Sequence, residues 1–181
     1  MLCLLIGLIP FGALATESSG HVWFAGQQLG LGDDLDMHYY VFIDGSYTES
    51  TVMNVTVGKN TKSYPIGDMT ADENGYYEFT VALAAAQMTD DVQFSLMEGE
   101  IEIASKTYSV QEYAKVLLEE NYDASVKTMV KAMLNYGAKA QTYFDYNANN
   151  LANAGYEIKN ASVPNESLAV KIDGAVSGAA L

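Results

Sequence analysis

Between Tyr108 and Asn153 the chain spells out two helices that are apolar on one side only, and such a pair cannot stand without a surface to lie against. Ser109 followed by Glu112 is a capping box, in which each side chain satisfies an orphan backbone N–H at the start of a helix. Val110, Tyr113, Ala114, Leu117 and Leu118 then recur at helical spacing over about eleven residues, roughly 16 Å. Beyond Glu119, Glu120 and Asn121, Asp123 is placed to cap a second helix. Its stripe runs Val126, Met129, Val130, Met133, Leu134, Gly137, Ala140, Tyr143 and Phe144 over about 22 residues, some 33 Å. Glycine inside that stripe costs ~1 kcal/mol relative to alanine, so a close approach of another backbone is expected at Gly137. The Asn-rich run 147–153 reads as a helix stop.

The surface for these helices comes from the segment before them, where the period falls to two. Leu35, Met37, Tyr39, Val41 and Ile43 share one face of a strand, with Asp36, His38, Tyr40, Phe42 and Asp44 on the other. Met53, Val55 and Val57 continue the pattern, followed by a short run at Tyr64 and Ile66 that Pro65 demotes to an edge. Tyr77, Phe79, Val81 and Leu83 form a further strand face, as do Val92, Phe94 and Leu96, and then Ile101 and Ile103. Asn74-Gly75, Glu98-Gly99 and Asp44-Gly45 are turn signals, the first read as a hairpin. The stretch 84–91 lacks alternation and reads as a helical turn or crossing loop. The expected fold is α+β: an antiparallel β-sandwich-like unit followed by a two-helix hairpin packed on it. Because Tyr40 and Phe42 sit on the outward face beside His38, the helices are the expected cover for that side.

At 181 residues and 49% hydrophobic composition the chain can bury a core without staples. Its formal net charge is −14, and all nine basic residues are Lys. Without the planar Arg fork or a basic footprint it makes a poor reader of phosphate, so nucleic acid and anionic membrane surfaces are set aside. Residues 2–14 form an apolar run too short to span a bilayer, ending in Ala13-Leu14-Ala15, a small-residue cleavage pattern. This reads as a secretory signal over 1–15, although no basic residue precedes the run; the bland alternative is a buried amino-terminal helix. Cys3, the single cysteine, lies inside it, so the mature chain would have none. An exposed segment over 16–28 and the sandwich-plus-hairpin module over 29–153 are expected to follow, with no membrane span once the signal is removed. Ser167 to Ile172 alternates again before Asp173-Gly174, so 154–181 reads as a linker and the start of a further, truncated β unit of a longer multi-module protein.

The helical block resembles the tandem modules of large exported surface proteins of Gram-positive anaerobic bacteria, in which a β-rich unit precedes a helical pair. The resemblance rests on Tyr108-Ser109-Val110 with Glu112-Tyr113-Ala114 in the first helix. In the second it rests on Val130 to Ala138 (VKAMLNYGA) with Tyr143-Phe144, and then on Asn147, Asn149, Asn150, Leu151 and Ala152 in the closing turn. Leu29 to Asp34 (LGLGDD) looks like the opening of the β unit. It covers about residues 25 to 155. It implies location, secreted or at the cell surface, and architecture; it brings no assigned activity and no catalytic residues.

Motifs for chemistry are sparse. Asp145 to Asn150 begins like a calcium loop, but Asn150 stands where glycine is needed and Tyr156 where a bidentate Glu is needed. Asp33, Asp34 and Asp36 read as a solvated lead-in to a strand, and Glu98, Glu100 and Glu102 as surface around a hairpin. His21 and His38 come with no nucleophile pattern, no H-E-x-x-H and no phosphate-cradling glycine loop. No catalytic, cofactor-binding or metal-binding residue is therefore assigned. Thirteen Tyr residues invite stacking on sugars, but most fall on the core stripes. Trp23, Tyr40, Tyr47 and Tyr76 do not, and they are the candidate ligand contacts. The leading reading is a non-catalytic structural or interaction module of a secreted or cell-surface bacterial protein. Its alternative is a carbohydrate-binding module accessory to a larger secreted enzyme, with polysaccharide or another surface protein as partner. The first expects no convergent polar pocket, the second a row or cleft of exposed aromatics, and an enzyme would need titratable groups meeting in one cleft.

Overall fold

The period-two segments become strands, and the two capped stripes become helices. The computed structural model describes residues 4–10, 22–31, 35–43 and 50–157. The strands are β1 (Leu4–Pro10), β2 (Val22–Leu31), β3 (Leu35–Ile43), β4 (Thr51–Val57), β5 (Asn60–Pro65), β6 (Tyr76–Leu83), β7 (Val92–Glu98) and β8 (Ile101–Tyr108). The helices are α1 (Val110–Glu119) and α2 (Ala124–Phe144), and short 3-10 turns lie at Ile66–Asp68 and Ala85–Gln87. Two four-stranded antiparallel sheets result: sheet A in the order β1-β2-β3-β6 and sheet B in the order β5-β4-β7-β8.

The inner faces are the alternating sets. Met37, Tyr39 and Val41 of β3 pair across to Val81, Phe79 and Tyr77 of β6. Opposite them, Met53 and Val55 of β4 pair with Leu96 and Phe94 of β7. Phe94 joins the two layers: its ring lies 4.2 Å from that of Tyr39, 6.4 Å from Phe79 and 6.3 Å from Phe24. Tyr64, on the edge strand β5, closes the flank by packing edge-on to Phe79 at 5.4 Å and donating its hydroxyl to the Thr80 carbonyl at 3.3 Å. The core is not wholly apolar. Gln27 and Tyr39 are register partners, and the Gln27 carboxamide and Tyr39 hydroxyl are buried without a hydrogen-bond partner. Burial, with Tyr108 and Glu112 adding to it, pushes the Tyr39 phenol far above its ordinary range.

Helix α1 begins with the anticipated capping box: Glu112 N donates to Ser109 Oγ at 3.2 Å and Ser109 N to Glu112 Oε2 at 3.0 Å. Asp123 does stand at the N-cap of α2, but its side chain makes no cap hydrogen bond. The pair docks on the 85–87 turn that carries the chain from sheet A to sheet B. Gln111 N donates to the Met88 carbonyl at 2.9 Å, and Val110, Tyr113, Ala114, Leu117, Val130 and Leu134 complete the inter-sheet core. Gly137 is where α2 comes closest. A Cβ there would press on the Met88 sulfur and stand 3.1 Å from the Ala85 carbonyl oxygen and 3.3 Å from Ala152 Cβ. After α2, Asp145 and Asn147 adopt left-handed backbone, and the chain folds back as a strap over 150–156. Two buried glutamines fasten it. Gln141 donates to Asn150 O at 2.9 Å and accepts from Ala152 N at 2.8 Å, while Gln111 donates to Leu151 O and Ala152 O, both at 3.0 Å.

Five sequence expectations need correction. The segment 16–28 is not an exposed lead-in throughout, because β2 starts at Val22 and buries Val22 and Gln27. Its alternation is hidden by a bulge between Phe24 and Gly26, which switches the inward parity from Val22 and Phe24 to Gln27 and Leu29. The buried helix weighed as the alternative to an export signal is not there: Leu4–Pro10 is an edge strand antiparallel to β2, and a short apolar run does not distinguish strand from helix. Asn74-Gly75 is a tight turn but no hairpin between paired strands, since β5 belongs to sheet B and β6 to sheet A. The helices do not cover the outward face of β3; its side chains stay part-exposed, flanked by those of their register partners on β2 and β6. The module also extends beyond its expected limits of 29 and 153, from β2 to the strap at Tyr156; residues 158–181, including the expected start of another β unit, lie outside those described.

Two substitutions test this packing. Phe94→Ala removes the ring shared by both sheets and should cost about 3–5 kcal/mol in urea unfolding. Gly137→Ala gains helix propensity but pushes a methyl group into the backbone of the 85–87 turn. A net loss of about 1–2 kcal/mol is expected, and a stabilised variant would contradict the close approach.

Candidate functional site

With Tyr39 and its partners committed to the core, every second residue of β3 must face outward on sheet A. The register lays these residues in rows across three strands: Trp23–Phe42–Tyr76, then Gly26–Tyr40–Glu78, then Gln28–His38–Thr80. The β2 bulge lets Trp23 and Gln28 share this face despite their odd and even numbers. The first row is an aromatic cluster. Trp23 lies 5.5 Å from Phe42 and 6.4 Å from Tyr76, and Phe42 lies 6.2 Å from Tyr76, the rings tilted or edge-on. Trp23 remains 53% exposed, so the cluster braces the indole without covering it.

The turn before β6 holds one side of the cluster. Asp72 Oδ1 accepts from Asn74 N and from Tyr76 N, each at 2.9 Å, and Gly75 N donates to Asp72 O at 3.0 Å. Those hydrogen bonds, Tyr76's first, hold the Asp72 carboxyl below the usual carboxylate range. Gly75 has φ +83°, and a Cβ there would stand 3.1 Å from the Phe42 ring, so this position needs glycine for conformation and for space.

The other two rows are polar. Tyr40 donates to Gln28 Oε1 at 3.2 Å, and burial, then the charges of Glu78 and Asp72, raise its phenol. His38 Nδ1 lies 2.6 Å from Glu78 Oε1 and 3.3 Å from Thr80 Oγ1. The imidazole lies over Gly30, where a Cβ would come within 3.2 Å of Nε2. Indole, phenol, amide, imidazole, carboxylate and hydroxyl groups thus share one open sheet face. That arrangement can stack on a ring and exchange hydrogen bonds around it.

Of the four candidate contacts, the fold brings Trp23, Tyr40 and Tyr76 together, and Tyr47 lies outside the described residues. Phe42, His38 and Gln28 join them. Glu78 was not legible from sequence, because its place beside His38 depends on β3–β6 register across forty residues.

A second feature is an open cleft of about 500 Å³ at one end of sheet B, lined by Thr56, Thr89, Asp90, Asp91, Gln93 and Tyr146 among others. It is a convergence of polar groups that the leading reading did not expect. Tyr146 donates to an Asp90 carboxylate oxygen, which raises the phenol, and Thr89 Oγ1 accepts from Gln141 and Asn147, both at 3.0 Å. These contacts tie the end of α2 to the start of β7, and the Asp145–Asn150 run takes part in that clasp. Among the described residues no three His, Cys, Asp or Glu side chains are grouped to hold a metal ion. Asp33 and Asp34 lie outside them.

The Asp72 turn carries a pH signature. A carboxyl whose folded-state pKa is depressed contributes stability that is complete above its unfolded value, about 4, and is lost as pH falls through the lower folded value. Thermal melts of Asp72→Ala should therefore show a Tm deficit that is constant above about pH 4 and shrinks in more acidic buffer. A deficit independent of pH would refute the carboxylate's role.

No protein-family model, no curated protein and no solved structure matches the chain, which leaves the geometry of this face as the ground for a functional reading.

Proposed function

We propose that the chain is a non-catalytic interaction module of an exported bacterial protein, secreted or held at the cell surface, and that it works through the outer face of sheet A. One observation carries this reading: a braced, half-exposed Trp23 with Phe42 and Tyr76 on an open sheet face, framed by oriented polar side chains. Exposed aromatic clusters rimmed by polar groups mark contact surfaces, and a sheet holds them rigid at little entropic cost on binding. Export is supported by the apolar run ending in A-x-A and by the resemblance to tandem surface modules. Among the described residues no helix is long and apolar enough to cross a membrane. The polar cleft supports catalysis less well, because its Asp90 carboxylate is engaged by Tyr146 and the remaining lining groups are the Asp91 carboxylate, hydroxyls and an amide, with no histidine among them.

The test is co-sedimentation of the full chain with cell-wall fragments of a Gram-positive bacterium. The wild-type chain should pellet. Trp23→Ala/Tyr76→Ala should remain in the supernatant, while Tyr143→Ser, on the exposed side of α2, should pellet like the wild type. A wild-type chain that stays soluble, or a double variant that pellets equally, would overturn the assignment.

A further inference from the structure

Resting on that reading, we infer that the face of Trp23, Tyr40 and Tyr76 binds a neutral polysaccharide, with a pyranose ring seated on Trp23 and the chain running along β3 toward His38. The apolar side of a pyranose ring is a patch of C–H groups whose partial positive charge suits the negative face of an indole. Trp23 is the aromatic of the cluster with that surface open, and Phe42 and Tyr76 fix its angle. Sugar hydroxyls need partners that both donate and accept. Gln28, Tyr40, His38, Glu78 and Thr80 supply both, already oriented by their mutual hydrogen bonds. From Phe42 to His38 is four residues of strand, about 13 Å, enough for a short oligosaccharide laid over the three rows.

Charge selects among polysaccharides. Among the described residues the face carries Glu78 and Asp36 and no Lys, on a chain of net charge −14, so carboxylated or phosphorylated polymers would be repelled. The His38 imidazole lies over Gly30, so the polar groups lie close against the sheet beside the exposed indole. A protein partner would ordinarily seek a larger apolar core than one braced row.

Affinity electrophoresis of the full chain tests this, using native gels cast with a β-glucan, a mannan, a galactan or a xylan, and with polygalacturonate and alginate as anionic counterparts. At least one neutral gel should retard the chain, and the anionic gels should not. Trp23→Ala should weaken the retardation about tenfold or more, and Trp23→Phe should retain part of it, with unchanged melting curves. Retardation only by anionic gels, or retardation indifferent to Trp23→Ala, would overturn the proposal. Silence in every gel while the chain still pellets with cell walls, in a manner abolished by treating the walls with protease, would also overturn it but leave the interaction module standing. Silence in every gel with no pelleting would remove both.

Discussion

The contact between Phe94 and Tyr39 is the pivot of the molecule. Among the described residues it is the closest ring contact between the sheets, and it sets which side of each strand is inside. Side chains alternate along a strand, so a one-residue slip would exchange the two faces entirely. Once Met37, Tyr39 and Val41 are committed to meet sheet B, the residues between them are committed to the opposite side. The exposed aromatic row is thus the obverse of the core. The same constraint works through β6, where burying Tyr77 and Phe79 turns Tyr76 and Glu78 outward.

Much of this was legible in the sequence because it is local. The capping box at Ser109, the α1 stripe, the α2 stripe as far as the glycine notch at 137, the Pro-terminated edge strand and the turn at Gly99 each follow from residues within a few positions. Tyr143 and Phe144, read as the end of the α2 stripe, stand exposed instead, because the last turn of α2 buries Gln141 against the strap. What escaped is what depends on distant partners or on broken periodicity. Strand β2 hid behind a bulge and two glycines, so Trp23 could be chosen only as an aromatic without a place in the core. Glu78 looked like an ordinary outward residue until the β3–β6 register set it against His38. The turn at Gly75 was read correctly in conformation and wrongly in company, because nothing nearby reveals that β5 and β6 lie in different layers. Expecting the helices over His38 was a failure of the same kind, as the 85–87 turn gave them another seat.

That seat has a structural outcome. By packing on the crossing between sheets, α1 and α2 leave the outer sides of both sheets to their own side chains. Those two sides differ in kind. Sheet A is aromatic and ionisable on its outer surface, whereas sheet B presents small polar rows, with Thr56 bonded to Thr61 at 2.9 Å and Ser63 to Asn54 at 2.7 Å. Both belong to one scaffold with a shared core, so the contrast is written in which residues fill the outward positions.

The strap after α2 has a mechanical consequence. Asn135 holds the Tyr156 carbonyl at 3.3 Å and Asn153 at 2.8 Å, while Gln111 and Gln141 grip the backbone just before them. Tension transmitted from beyond Glu157 would reach the helices first through this set of amide clamps, loaded in turn from Tyr156 back to Asn150. Because the clamps sit on the helices and not on the sheets, the strap can peel away without unmaking the aromatic surface.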